Sequence, residues 1–462
     1  MTRIVIVGGG ISGLTLAYRL QQRSPAAEIV VLEEQPGVGG KIQTLQRDGF
    51  RVEAGPNGFL DTNPATLNLC RELGLGDRLT PASEAAGRNR FVLLGGRLQM
   101  LPRGLWSLLT SGVLSWRAKY KLLTERFRPR RMDGADESID AFVRRRVGAE
   151  IAETLGDAFV TGIHAGDPTL LSVRAAFPRL AAMEREHGSV LNGFAAASRK
   201  RQAEAAAGGQ PAQRAGRMWS FREGLSLLID ALRDRLRTPP ITGAAVRSVR
   251  RSPDGGWEVR ADGRDAWKAD VVALTCPAHQ QAALLADVDP ELAAKMDGIR
   301  YSRVVVAALG YRAADVPMSL DGFGYLSPQR QRRDVLGVQW CSSIYPERAP
   351  AGMVLLRALC GGWNRPEMVD WDDDRLLTAV RAEMRQALGV QAAPAFHEIV
   401  RWDRAIPQYH LGHLERVAWI EARVARHPGL FVGGAAYRGV ALNDCVEQAD
   451  VLGARIALPG TQ

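Results

Sequence analysis

Five glycines, an acid and a lysine within the first 41 residues have the types and spacing of a dinucleotide cradle. Gly8, Gly10 and Gly13 stand as G-x-G-x-x-G, Glu33 follows twenty positions after Gly13, and Gly39, Gly40 and Lys41 close the stretch. Gly8 permits a tight turn, Gly10 lets the main chain approach a pyrophosphate, and Gly13 lets a helix pack close to a strand. The N-terminus of that helix, near Ser12, offers unpaired N–H groups and roughly half an elementary charge. Glu33 can accept hydrogen bonds from a ribose diol, and its charge disfavours a 2′-phosphate. The elements that must position these groups are legible beside them. Residues 4–7 and 29–32 are apolar runs that read as buried strands, and Leu14, Ala17 and Tyr18 begin a helical apolar stripe.

The second glycine pair separates FAD from NAD. The Glu33 to Gly39-Gly40 spacing resembles the ExxxxxGG extension of the FAD-dependent amine oxidase superfamily, which lies along the FAD pyrophosphate. FAD is the implied cofactor.

At 462 residues the chain has room for two or three domains, and 46% hydrophobic with 24% charged residues is an ordinary globular balance. No apolar run approaches the roughly 20 residues of a spanning helix. The N-terminus opens on strand residues with no basic leader, so a cytoplasmic location is expected. The five scattered cysteines lack a CxxC pair and read as reduced, buried thiols. His410 and His413 have no third ligand nearby, so no metal is expected. A net charge of +10 fits an anionic small molecule or an anionic membrane surface. No stacking motif or DNA-binding signal accompanies it, so nucleic acid is not an expected partner.

Along the chain, residues 86–205 are rich in helix formers. Residues 105–131 mix Leu, Trp and Tyr with Arg117, Lys119, Lys121, Arg126, Arg128, Arg130 and Arg131. That mixture suits a helix in a lipid headgroup layer and equally an amphipathic helix against a core. Residues 198–217 read as a mobile connection. Residues 244–275 read as strands with Asp-Gly turns, and residues 300–400 as further strands with a helix over 376–388. The last block, 430–458, is a strand, a glycine-rich turn and a helix.

Six strings then share one likeness: EAGPNGFL (53–60), GIHAGDPTLLSVRAAFP (162–178), SFREGLSLL (220–228), DGFGYLS (321–327), IPQYHLGH (406–413) and GAAYRGVALNDC (434–445). They resemble the protoporphyrinogen oxidase family over nearly the whole chain. The resemblance implies an α/β fold: a discontinuous Rossmann-like FAD-binding domain over 1–85, 206–299 and 403–462, a helical membrane-binding domain over 86–205, and a mixed β-sheet substrate domain over 300–402. It tips residues 105–131 toward a peripheral membrane role on the cytoplasmic face.

The implied reaction is oxidation of protoporphyrinogen IX to protoporphyrin IX in haem synthesis. Hydride passes to the flavin, and dioxygen reoxidises it with release of hydrogen peroxide. Cofactor and substrate carry the hard chemistry, so no catalytic acid or base is assigned. Coproporphyrinogen III is the close alternative substrate. An amine oxidase or desaturase, or a flavin-binding protein without turnover, are the distant readings. A homodimer is compatible with the chain.

The resemblance also carries site residues. FAD is expected against Gly8, Gly10, Ser12, Gly13, Glu33, Gly39, Gly40 and Lys41, with Gly55, Pro56 and Asn57 at the flavin and ribityl region. Val246 matches a strand laid against the adenine, and Gly434, Val440, Ala441 and Leu442 a segment at the flavin ring. Arg90 matches a position that pairs with a propionate, which a guanidinium suits through its two parallel donors. Phe323, Leu326 and Leu359 match residues that sandwich the macrocycle, and Gly162 a glycine near the reacting edge. By periodicity alone the three apolar residues are core strand positions, and Gly162 could simply end a helix.

Overall fold

Four parallel strands carry the glycine turn. In spatial order they are Leu430–Val432, Val271–Leu274, Arg3–Val7 and Glu28–Leu32. Their Ile, Val and Leu runs follow from burial on both faces, which parallel strands require. One face buries Ile4, Ile6, Val31 and Ala273 under Leu16, Leu20, Ala449 and Leu452 of the helices Ile11–Arg23 and Leu442–Ala457. The other buries Val5, Val7, Val272 and Leu274 against Trp257 and Val259 of a three-stranded antiparallel sheet. Strands far apart in sequence share the sheet, so this unit is discontinuous. The computed structural model describes residues 1–102, 104–207, 216–331 and 333–457.

A seven-stranded mixed sheet forms the second layer. Its order is Phe396–Trp402, Val304–Arg312, Met353–Gly361, Val335–Trp340, Gly324–Leu326, Phe91–Leu94 and Arg97–Met100. All pairings are antiparallel except Gly324–Leu326 with Phe91–Leu94. The last hairpin thus draws on a stretch that the sequence reading gave to the helical unit. The outer face buries Val305, Ala307, Leu309, Leu356 and Ala358 under Leu376, Val380 and Met384 of the helix Asp373–Leu388. Asp372 caps that helix by accepting from the Arg375 N–H at 2.7 Å, and Gly389 ends it at φ +73°. The inner face looks toward the parallel-sheet unit and the helices.

Residues 105–131 do not form one helix. Gly112 and Ser115 divide the stretch into Leu105–Thr110 and Trp116–Leu123, and Ser115 caps the second by accepting from the Ala118 N–H at 3.2 Å. Beneath them lies a buried ion cluster. Arg146 and Glu125, each 1% exposed, pair side by side, and Glu184 approaches Arg146 at 3.2 Å. The expected connection at 198–217 begins instead as helix, because Val190–Ala207 continues through the alanine-rich AEAAA run. Residues 208–215 of that expectation lie outside the described residues. Among the described residues no helix is long and apolar enough to cross a membrane.

Candidate flavin and substrate site

The glycine turn is built by close contacts that only glycine allows. A Cβ on Gly13 would lie 1.9 Å from the Gly8 carbonyl oxygen, and one on Gly8, at φ +112°, would lie 2.8 Å from the Cys276 nitrogen. Gly10 differs. Its Cβ would meet only the Gly40 Cα, at 3.9 Å, so this glycine borders open space at the start of the helix. The second glycine pair clasps the first: Gly10 bridges to Gly39, and the Gly39 N–H donates to the Gly9 carbonyl at 2.8 Å. The helix Leu442–Ala457 aims its own first turn at the same place, where Ser12 meets Cys445. Two helix N-termini therefore converge on the loop, which suits an anionic diphosphate.

Glu33 is buried, and its carboxylate accepts from the Gly9 N–H at 2.7 Å and the Gln35 N–H at 2.9 Å. The same strand end pairs with residues 241–244, which lead directly to Val246. Lys41 is half-buried and has no carboxylate partner among the described residues; its ammonium donates to the Ala405 carbonyl and stands 5.4 Å from the Tyr301 ring. Desolvation lowers its pKa to about 8. The folded pKa lies below the ordinary value, so the charged form is the disfavoured one, held only below about pH 8. An anionic ligand needs that charge. FAD affinity of the apoprotein is therefore expected to fall as pH rises above about 8, and Lys41→Met to flatten that dependence, read by fluorescence titration.

Gly55 packs so tightly on Lys41 that a Cβ would lie 1.9 Å from the Lys41 carbonyl oxygen. Beyond Pro56, Asn57 is 5% exposed, yet neither its Nδ2 nor its Oδ1 has a hydrogen-bond partner among the described residues. A buried amide left in this state lacks the partner that its burial demands. Gly434, at φ +103°, sits just beyond the strand Leu430–Val432, and Val440 and Ala441 lead into the helix that begins at Leu442. An open glycine cradle, two helix N-termini, an ammonium held only by a carbonyl and an orphaned amide fit a flavin dinucleotide.

The inner face of the seven-stranded sheet adjoins this cradle. Leu326, Gly337 and Leu359 are consecutive register partners, so they form one row of a single face. Leu326 and Leu359 are half-buried between buried neighbours along their strands. Gly162 lies over the row: its Cβ would fall 2.9 Å from Leu326 Cδ1. It belongs to the helix Asp157–His164, which Ala165 ends at φ +45°, so Gly162 is not a helix terminator. Arg90 lies over the Phe323 ring at 5.1 Å, and no carboxylate pairs with it among the described residues. The side chain is exposed, yet desolvation lowers its pKa, as expected inside a cleft.

One row further along the same face stands Arg357, which the sequence reading missed. Its guanidinium donates to the Gly55 carbonyl and to Gln339 Oε1, tying the sheet to the flavin-side turn. The signal was an arginine inside the apolar run MVLLRALCG. His164 is buried and neutral, its pKa lowered to about 4 by desolvation.

Fold and cradle together define a dinucleotide-binding oxidoreductase with a second sheet against the cofactor. The model of the flavin containing amine oxidoreductase family matches residues 11–450, and the chain belongs to that family. It is an FAD-dependent oxidoreductase. Among curated relatives it is 28% identical to the coproporphyrinogen III oxidase of Bacillus subtilis, over 96% of each chain. It is 32% identical to the chloroplastic protoporphyrinogen oxidase of Nicotiana tabacum, over 96% of this chain and 83% of that one. A solved structure from Exiguobacterium sp. 255-15 superposes with a TM-score of 0.84 at 26% identity, covering 99% of this chain and 98% of that one.

Proposed function

We propose that this chain oxidises protoporphyrinogen IX to protoporphyrin IX, with dioxygen as the terminal acceptor. The observation that carries the reading is the row Leu326–Gly337–Leu359, half-buried at its two leucines and one residue pair away from the flavin-side turn through Arg357. The glycine in its middle is buried with Leu326 against it, so the two leucines present the apolar surface, which suits an apolar disc. The names of relatives across nearly the whole chain support the substrate class.

In this reading the bound flavin supplies a hydride acceptor that dioxygen can restore. The chain's residues orient and enclose the substrate. Leu326, Leu359 and Phe323 exclude water from the ring faces, and Gly162 lets its helix pack directly on Leu326. Arg90 takes a propionate in a bidentate pair. No side chain is assigned a proton transfer.

Coproporphyrinogen III is the second reading, favoured by relatives of that name. It carries four propionates and needs more free cations. Near Ser327 the described arginines are already engaged: Arg333 with Glu383, and Arg365 with Asp334 and Glu367. Arg90 is without an acid partner, which supports the less charged substrate. The test is kcat/KM for both porphyrinogens in the wild type and in Arg90→Ala. A preference for protoporphyrinogen with about a tenfold or greater loss in the variant, near 1.4 kcal/mol, is expected. Preference for coproporphyrinogen would transfer the proposal to the second reading.

Peripheral membrane contact belongs to the same proposal. Trp106, Trp116, Tyr120 and Phe127 are 80%, 70%, 68% and 73% exposed, beside exposed Arg117, Lys121 and Arg126. Lys119 is not part of this surface: it is buried and donates to the Leu109 and Ser111 carbonyls, both at 2.8 Å. Arg131 is held by Asp133 and Glu137. Liposomes rich in anionic lipid are expected to retain the wild type and to release Trp116→Ala/Phe127→Ala. Equal co-sedimentation of both would remove this part of the reading.

A further inference from the structure

Under the Gly55 turn lies a buried charge cluster that does not balance. Arg348, Arg357 and Glu53 are 1%, 4% and 2% exposed. Glu53 pairs with Arg348 at 2.9 Å and accepts from the Leu225 N–H at 2.9 Å and from the Thr44 hydroxyl, also at 2.9 Å. Arg357 has no carboxylate within ion-pair distance among the described residues; its partners are the Gly55 carbonyl and the Gln339 amide oxygen. The nearby Cys341 thiol is pushed up to about 11 by burial and stays neutral. Two guanidinium groups therefore face one carboxylate in a region closed to water. Burial also raises the pKa of Glu53, and protonation there would only enlarge the excess. Nε of Arg357, Nε and Nη1 of Arg348, the Tyr345 hydroxyl and the Asn57 amide are all buried around residues 53–58 without hydrogen-bond partners among the described residues. An uncompensated buried charge costs several kcal/mol unless something on the other side uses it.

We propose that Arg357 is a positioning residue for the cofactor: it fixes the 55–57 turn through the Gly55 carbonyl and keeps one excess positive charge beside it, which favours the reduced cofactor. This rests on the FAD reading of the turn. The chemistry requires such a charge. Hydride carries two electrons and one proton, so its acceptor gains one negative charge in the transfer. A fixed cation near the cofactor offsets that gain and raises the reduction potential. A guanidinium is suited to the task because it remains protonated in spite of the desolvation that lowers its pKa.

The test uses the FAD-loaded full chain with sulfite as a probe that adds to oxidised flavin and leaves it anionic. Sulfite dissociation constants and two-electron midpoint potentials are measured for the wild type, Arg357→Lys, Arg357→Gln and Glu53→Gln. Arg357→Gln should weaken sulfite binding at least tenfold. A tenfold change in the reduction equilibrium lowers the potential by about 30 mV. Arg357→Lys, which keeps the charge, should stay within about threefold of the wild type. Glu53→Gln removes the opposing charge and should tighten sulfite binding. An FAD-loaded Arg357→Gln with a sulfite dissociation constant within twofold of the wild type and a potential within about 9 mV of it would overturn the proposal. Should Arg357→Gln purify without FAD, the sign decides in Glu53→Gln: tighter binding supports the proposal, and unchanged or weaker binding overturns it. A wild type that takes up no flavin strikes the underlying FAD reading instead.

Discussion

Arg146→Ala is expected to lower the stability of the folded chain by about 3–5 kcal/mol, measured by urea unfolding of the FAD-loaded protein. The guanidinium holds Glu125 and Glu184 and also donates to the Arg128, Pro129 and Gly188 carbonyls. Its removal leaves the Glu125 carboxylate buried with the Ser189 hydroxyl and two main-chain N–H groups as remaining donors. That cost is the penalty of an orphaned charge rather than the worth of the pair. Arg146→Met combined with Glu125→Leu should therefore recover much of the loss. A single-variant effect below about 1 kcal/mol would show that water reaches the cluster. The consequence extends to the site, because these helices carry Gly162 over Leu326.

Gly13→Ala is expected to weaken FAD binding by about 100-fold, the equivalent of about 3 kcal/mol of overpacking. The added carbon would sit 1.9 Å from the Gly8 oxygen and 2.7 Å from Thr275 Oγ1, so helix and strand must separate. Gly10→Ala gives the informative contrast. Its Cβ has no close protein neighbour, so the apoprotein should keep wild-type stability within about 0.5 kcal/mol while FAD affinity falls. Equilibrium dialysis and thermal unfolding of both apoproteins separate the two effects. Loss of stability in Gly10→Ala, with FAD binding intact, would contradict the geometry of the cradle.

Local sequence carried the parallel-sheet unit, because strand, glycine turn, helix and acid are neighbours along the chain. The strands Val304–Arg312, Val335–Trp340 and Met353–Gly361 were legible as apolar runs for the same reason. What escaped were features set by partners distant in sequence. The hairpin Phe91–Met100 could be assigned to the large sheet only through its parallel pairing with Gly324–Leu326. Gly162 matched a glycine near the reacting edge, with a helix end as the competing reading; that its missing side chain makes room for Leu326, more than 160 residues away, was not legible. Arg357 stood in plain sight as a charge in an apolar strand, but its partner is a carbonyl, and carbonyls carry no signature in a sequence. Lys119 was counted as a surface cation because its type suggests one; two carbonyls hold it inside.

The proposed site residues form two adjoining groups, a dinucleotide cradle on the parallel sheet and an apolar row on the seven-stranded sheet, joined by Arg357. Rapid anaerobic mixing of the FAD-loaded chain with protoporphyrinogen IX tests that juxtaposition most directly. The account predicts bleaching of the flavin absorbance on mixing, recovery on admission of air with peroxide release, and porphyrin fluorescence appearing over successive turnovers. A flavin that stays oxidised with protoporphyrinogen IX and with coproporphyrinogen III alike would contradict it.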